Sequence, residues 1–214
     1  MQSHSRRQAL KLLTAASLIP LATPASAEQT FSIVAFGDSL TAGYGLPPEN
    51  AFTTRLEQRL KANGLNVEVV NAGVSGDTSK GGLSRIDWSV PDGSDLVIVE
   101  LGANDALRGI SPAETAKNLD AILARLRQRG IAVLLTGMLA PPNMGKDYEA
   151  AFNAIYPKLA EKHDVELYPF FLDGVVADPK LNQADGIHPN AAGTAVIVER
   201  LSPVVDKLVR SLAS

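Results

Sequence analysis

The chain of 214 residues contains no cysteine. That absence removes disulfides, thiolate metal ligands, a cysteine nucleophile and lipid attachment through cysteine, and leaves an oxidising compartment compatible but not required. Histidine is scarce too, at three residues. Basic charge is not in excess: 20 lysines and arginines face 23 acids, for a formal net charge of −3. This balance argues against a nucleic-acid or anionic-membrane partner. From residue 31 onwards there is no low-complexity stretch, internal repeat or linker, and no apolar run long enough to span a bilayer.

What is present begins with an address. Arg6, Arg7 and Lys11 precede the apolar run "LLTAASLIPLA", and Ala25-Ser26-Ala27 supplies the small residues of a signal-peptidase site. Residues 1–27 are therefore expected to be a signal peptide and 28–214 one mature domain, periplasmic or secreted; a buried N-terminal helix is the competing reading. The order "SRRQALK" is similar to the twin-arginine export motif, with Ala9 where that motif usually carries an aromatic residue, so the ordinary secretion route stays open. Pro20 and Pro24 interrupt an apolar run already too short to cross a membrane, and no membrane anchor is expected. Removing the leader removes three basic residues and no acids, which makes the remainder more acidic.

That remainder is long enough for one domain with a sizeable core. Short apolar runs, "FSIVAF" (31–36), "NVEVV" (66–70), "DLVIVEL" (95–101), "IAVLLT" (131–136) and "VELYPF" (165–170), read as strands covered on both faces. Helix-period segments separate them. Phe52, Leu56 and Leu60 repeat every four residues before Asn63-Gly64. Ser111, Pro112 and Glu114 predict a capping box for a helix that Gly130 closes. Pro157 and Pro203 are expected to kink or split the segments around Tyr148–Leu159 and Val198–Leu212. Strand–helix alternation of this kind predicts an α/β fold with parallel strands and right-handed crossovers, a three-layer α/β/α sandwich.

In such sheets ligands collect beyond the carboxyl ends of the strands. Those positions hold Gly37-Asp38-Ser39, Asn71-Ala72-Gly73, Gly102-Ala103-Asn104-Asp105 and, in the last loop, Asp185-Gly186-Ile187-His188. Ser39 alone reads equally well as helix cap and as nucleophile. His188 shifts the balance, because Asp185 three residues earlier can hold one ring nitrogen while Pro189 fixes the backbone. His163, in "AEKHDVE", is expected to be a solvated surface residue. An acyl-transfer site also needs oxyanion donors: the Ser39 and Gly73 N–H groups and the Asn104 amide can supply them, although each also has a bland turn or cap role. Asp38, Asp77 and Asp105 read as turn carboxylates that satisfy backbone N–H groups.

Other chemistries fit less well. A magnesium-dependent phosphatase of the haloacid-dehalogenase type needs a second aspartate where Leu40 stands, and "GVSGDTSKGG" lacks both P-loop and dinucleotide spacing. A non-catalytic periplasmic binding module on the same fold would use Ser39, Asp185 and His188 as ligand contacts.

The blocks "FGDSLTAGYG", "NAGVSGDTSKGGLSR", "ELGANDALRG" and "DGIHPN" resemble, in order and spacing, the four blocks of the GDSL or SGNH hydrolases. The resemblance extends over nearly all of residues 31–200 and is nearest to the branch of periplasmic arylesterases and acyl-CoA thioesterase/lysophospholipases. It implies a flavodoxin-like sheet of about five strands. It also implies Ser39 as nucleophile, His188 as base and Asp185 as its orienter, with Ser39, Gly73 and Asn104 as oxyanion donors. Ala106 stands where many relatives carry glycine. The chemistry implied is ester hydrolysis through an acyl-enzyme, on a small ester or thioester substrate, with no metal or organic cofactor. "MLAPPNMGKDY" (138–148) and "ALRGI" (106–110) are candidate walls for the acyl or aryl group. The oligomeric state has no signature in the sequence.

Overall fold

The structure is a computed structural model that describes residues 30–213. Five strands, β1 (Phe31–Gly37), β2 (Val67–Gly73), β3 (Leu96–Glu100), β4 (Ala132–Thr136) and β5 (Glu166–Tyr168), form a parallel sheet in the order β2-β1-β3-β4-β5. They fall on the five apolar runs read from the sequence, and the order is the flavodoxin-like one. β3 is buried at every position and β1 at all but one, which is possible only where helices cover both faces.

The helices supply that cover. α1 (Ser39–Ala42) and α2 (Phe52–Ala62) follow β1, α3 (Ser79–Ser89) follows β2, and α4 (Ala103–Leu107) and α5 (Pro112–Gln128) follow β3. α6 (Lys146–Asn153) and α7 (Ile155–His163) follow β4, and α8 (Ala191–Leu212) closes the chain. Right-handed crossovers put the helix of a leftward step and those of rightward steps on opposite faces. Accordingly α2 packs with α8, while α3, α5 and α7 pack side by side. Phe36, Ile98, Leu101, Leu123 and Leu134 lie fully buried between the layers, each burial worth roughly 1.5–3 kcal/mol.

Sheet register prepares the site. Gly37 pairs with Gly73 on one side and with Glu100 on the other, so the last residues of β2, β1 and β3 form one row. α1 is pressed onto this row. A Cβ at Gly37 would strike the Thr41 hydroxyl and the Glu100 carbonyl, and one at Gly73 would strike the backbone nitrogen of Ala42.

Three local expectations come out differently or in a particular form. Ser111 precedes α5, but its hydroxyl makes no capping bond. The Glu114 N–H it would have accepted is donated to the Ser111 carbonyl instead, at 2.9 Å. The segment around Tyr148–Leu159 is split at Ala154, so that Pro157 falls in the first turn of α7, where its missing N–H costs nothing. α8 runs unbroken through Pro203. That proline lies on the exposed face, where water can serve the carbonyl one turn back.

Candidate active site

β1 stops at Gly37 and the chain turns into α1. Asp38 caps that short helix, its Oδ1 accepting the Leu40 N–H at 3.0 Å. Ser39, first in the helix, is thereby free of the capping role. Its Oγ lies 2.9 Å from His188 Nε2, and His188 Nδ1 lies 2.7 Å from Asp185 Oδ2. The other Asp185 oxygen accepts the Ile187 N–H at 2.9 Å and the His188 N–H at 3.0 Å. The backbone N–H of His188, then its side chain, then the Ile187 N–H lower the Asp185 pKa to about 2. The carboxylate therefore stays ionised beside the ring. The Tyr44 ring covers the imidazole, with centroids 4.6 Å apart. Gln183 donates to the Tyr44 carbonyl at 2.7 Å and ties the histidine loop to the serine turn.

Asn104 arrives from the other side of the row, on α4, and its Nδ2 donates to Asp38 Oδ2 at 3.0 Å. An amide NH₂ carries a second hydrogen, which this bond leaves unused. The Gly73 N–H donates to Asn71 Oδ1 at 3.0 Å, so an incoming oxyanion would take the place of that side chain. Beneath the turn lies Glu100, whose Oε2 accepts from the Thr41 hydroxyl at 2.9 Å and from the Asp38 N–H at 3.3 Å. Asp38 and Glu100 are fully buried. Burial pushes the Asp38 pKa up to about 6. Burial, and next the neighbouring Asp38 charge, push Glu100 well above the carboxylate range.

A serine, an imidazole and a carboxylate in line, with amide donors beside the serine, form the apparatus of acyl transfer. A model of the GDSL-like lipase/acylhydrolase family matches residues 35–196. The chain belongs to that family. The thioesterase 1/protease 1/lysophospholipase L1 of Escherichia coli K12 is 39% identical over 90% of this chain and 90% of its own length. The arylesterase of Vibrio mimicus is 38% identical over 88% and 93%. Among solved structures, AlinE4, described as an SGNH-hydrolase family esterase, is 50% identical, covers 85% of this chain and 98% of its own, and superposes with a TM-score of 0.72. Membership makes the protein a carboxylic ester hydrolase by class.

In this family member the four strand-end segments converge as the sequence led us to expect. The Asp38 and Asp105 readings also hold in part: Asp105 accepts the Ser79 N–H at 2.8 Å, and with the Ser79 and Thr115 hydroxyls it fastens α3 and α5 to α4. Asp77 instead pairs with Arg85 Nε at 2.7 Å. Ala106 is buried within α4. His163 is not the solvated residue expected. It is only 9% exposed, because α7 turns it towards α5, where its Nε2 meets Asp120 Oδ1 at 2.6 Å. Lys162 Nζ shares the same carboxylate at 2.7 Å, which makes the group an ion-pair cluster between α7 and α5.

Sequence reading missed two groups, Glu100 and Arg85. Glu100 could have been flagged as an acid ending the apolar run "LVIVE". Arg85 donates to the Gly37 and Ala72 carbonyls and lies over the Phe36 ring; nothing in "GGLSR" announces that role. The expected acyl walls lie close together, with Tyr148 donating to the Ile110 carbonyl at 2.8 Å. Exposed Tyr44, Val74, Leu107, Leu139 and Ile187 follow successive strand ends and give the site's edge an apolar rim. Among the described residues no helix is long and apolar enough to cross a membrane, and no group of three or more His, Asp or Glu is placed to hold a metal ion.

Proposed function

We propose that this hydrolase cleaves carboxylic esters, aryl esters first among them, with acyl thioesters and lysophospholipids as further substrates of the same site. The observation that carries the reading is the unbroken line from Ser39 Oγ through His188 to Asp185. His188 Nε2 takes the hydroxyl proton as Ser39 Oγ attacks the carbonyl carbon. The negative oxygen is received by the Ser39 N–H, the second hydrogen of the Asn104 amide and the Gly73 N–H, released from Asn71. Collapse of the tetrahedral intermediate expels the alcohol or thiol, which leaves with the proton held by His188. Water, deprotonated by the same imidazole, then attacks the acyl-enzyme and frees the acid. Asp185, charged throughout, keeps Nδ1 protonated and Nε2 basic. The apolar rim and, among the described residues, the absence of a large helical insertion suit an open site for aryl or chain-like groups. We further propose that the enzyme acts outside the cytoplasm after loss of residues 1–27, which lie outside the described residues.

The test is a series of nitrophenyl esters of increasing acyl length, with acyl-CoA thioesters and a lysophospholipid alongside, on protein beginning at residue 28. Ser39→Ala should abolish turnover, His188→Ala should lower kcat by about 10⁴-fold, and Asn104→Ala by roughly 10²–10³ with little change in KM. His163→Ala should stay within a few-fold of the parent. Folded protein that turns over none of these substrates would leave the constellation as a ligand-binding site and overturn the proposal.

A further inference from the structure

Two carboxyl groups, Asp38 and Glu100, lie together beneath the nucleophile turn with no exposure to water, joined by the Asp38 N–H on Glu100 Oε2 at 3.3 Å. Among the described residues, no lysine, arginine or histidine forms an ion pair with either. Two adjacent carboxylates in a dry interior do not both ionise, so one proton stays with the pair. The donors around them decide where it resides. Asp38 has a separate N–H for each oxygen, Leu40 on Oδ1 and Asn104 on Oδ2, an arrangement that suits a carboxylate. Glu100 has both of its donors on Oε2, while Oε1 is buried without a partner. A bare charged oxygen there would be costly, whereas a neutral acid sharing its proton with Asp38 is not.

We propose that Glu100 is a positioning residue for the reaction: as a neutral acid it steadies the Asp38 carboxylate, which holds one hydrogen of the Asn104 amide and thereby aims the other at the oxyanion. The inference rests on Asn104 being an oxyanion donor. Fixing that amide before the reaction matters because a donor that must rotate into place contributes little to the transition state, and misplacement by about 1 Å can cost 10²-fold. The shared proton has a second effect. It limits the pair to one negative charge below a site where another is about to form.

A purely structural role is the competing account, with Asp38 capping α1 and Glu100 tying β3 to Thr41. The two accounts separate in kinetics. With a nitrophenyl ester at pH 8, Glu100→Gln, a neutral isostere that can still donate to Asp38, should keep kcat within about threefold. Glu100→Leu should lower kcat by about tenfold or more with KM within twofold. Asp38→Asn, which keeps shape and removes the charge, should do the same and carries the test if the leucine variant does not fold. In an Asn104→Ala background either change should cost less than about twofold further, because the group acted upon is gone. Full kcat per folded molecule in both Glu100→Leu and Asp38→Asn overturns the proposal. So does a glutamine variant as damaged as the leucine one, or losses that multiply with Asn104→Ala. Near-normal kcat in Asn104→Ala alone would instead overturn the oxyanion assignment, and this inference with it.

Discussion

Replacing Arg85 by methionine should destabilise the fold by about 3 kcal/mol and slow the enzyme. Arg85 is only 7% exposed. Its Nε meets Asp77 Oδ2 at 2.7 Å, its Nη1 the Ala72 carbonyl at 2.9 Å and its Nη2 the Gly37 carbonyl at 2.8 Å. Its guanidinium carbon lies 4.2 Å from the Phe36 ring centroid. Methionine preserves much of the stem's packing and removes the charge and the fork. Removing one partner of a buried ion pair typically costs about 3–5 kcal/mol. The lower end applies here, because the Asp77 side chain retains 12% exposure and the Gly37 carbonyl keeps the Val74 N–H at 3.0 Å. For a domain of this size that corresponds to a fall in Tm of roughly 6–12 °C. Because the two carbonyls released belong to the residues just before Asp38-Ser39 and Gly73, kcat should also drop several-fold while KM changes less. Asp77→Asn added to Arg85→Met should recover part of the stability, since it removes the stranded charge. Thermal melts followed by circular dichroism, urea titration and ester kinetics on the same preparations check this. A Tm loss under 2 °C, or a second substitution that only adds damage, would refute the reasoning.

Two further outcomes are expected. Asp38, its pKa raised to about 6 by burial, binds its proton more tightly in the folded chain than in the unfolded one, where the value is about 4. Stability should therefore fall as pH rises between those values, by on the order of 3 kcal/mol. Asp185 works in the opposite sense: held down to about 2, it stabilises the fold above pH 4 and ceases to do so as pH falls towards 2. Urea unfolding at pH 4 and at pH 7 should show Asp38→Asn gaining on the parent at the higher pH, and a pH-independent difference would count against the buried carboxylate pair. Separately, a reporter fused to residues 1–27 should leave the cytoplasm, and Arg6→Lys with Arg7→Lys should block its export if the route is twin-arginine. Retention of the unsubstituted fusion in the cytoplasm would refute the leader assignment.

Legibility from sequence followed chain locality. The strands could be read because burial on both faces forces near-continuous apolar runs, and "FSIVAF" or "LVIVE" admits little else. The grouping of Ser39, Gly73, Asn104 and His188 could be read because parallel topology gathers strand ends, without any contact information. Asp185 was accessible for a different reason, three-residue spacing within one loop. What escaped depended on long-range packing. Whether Ser39 caps α1 turned on Asp38, which takes that role itself. His163 became buried only through the pairing of α7 with α5, which its charged neighbours in sequence conceal. Glu100 acquires its environment from Asp38 and Thr41, about 60 positions earlier. Ser111 shows the reverse failure: its local pattern was right for a capping box, and the backbone carbonyl outcompeted the hydroxyl.

His188 and Asp185 lie together on the segment 169–190, which contains no helix or strand; many of its hydrogen bonds run within it, while Phe171 and Val175 anchor it in the core. Asn182 donates to the Val175 and Asp178 carbonyls, Asn190 donates to those of Lys180 and Asn182, and the Gln183 N–H donates to the His188 carbonyl. Ser39 opens α1, directly after β1. On the proposed mechanism, turnover therefore depends on how this segment is seated against the sheet, through the buried side chains of Phe171 and Val175 and through Gln183 on the Tyr44 carbonyl. Such an enzyme has two thermal clocks. On heating, local opening confined to residues 182–190 should silence turnover before far-UV dichroism changes, since that stretch carries no helix or strand. Substitutions that tighten residues 182–190 should then extend activity at high temperature.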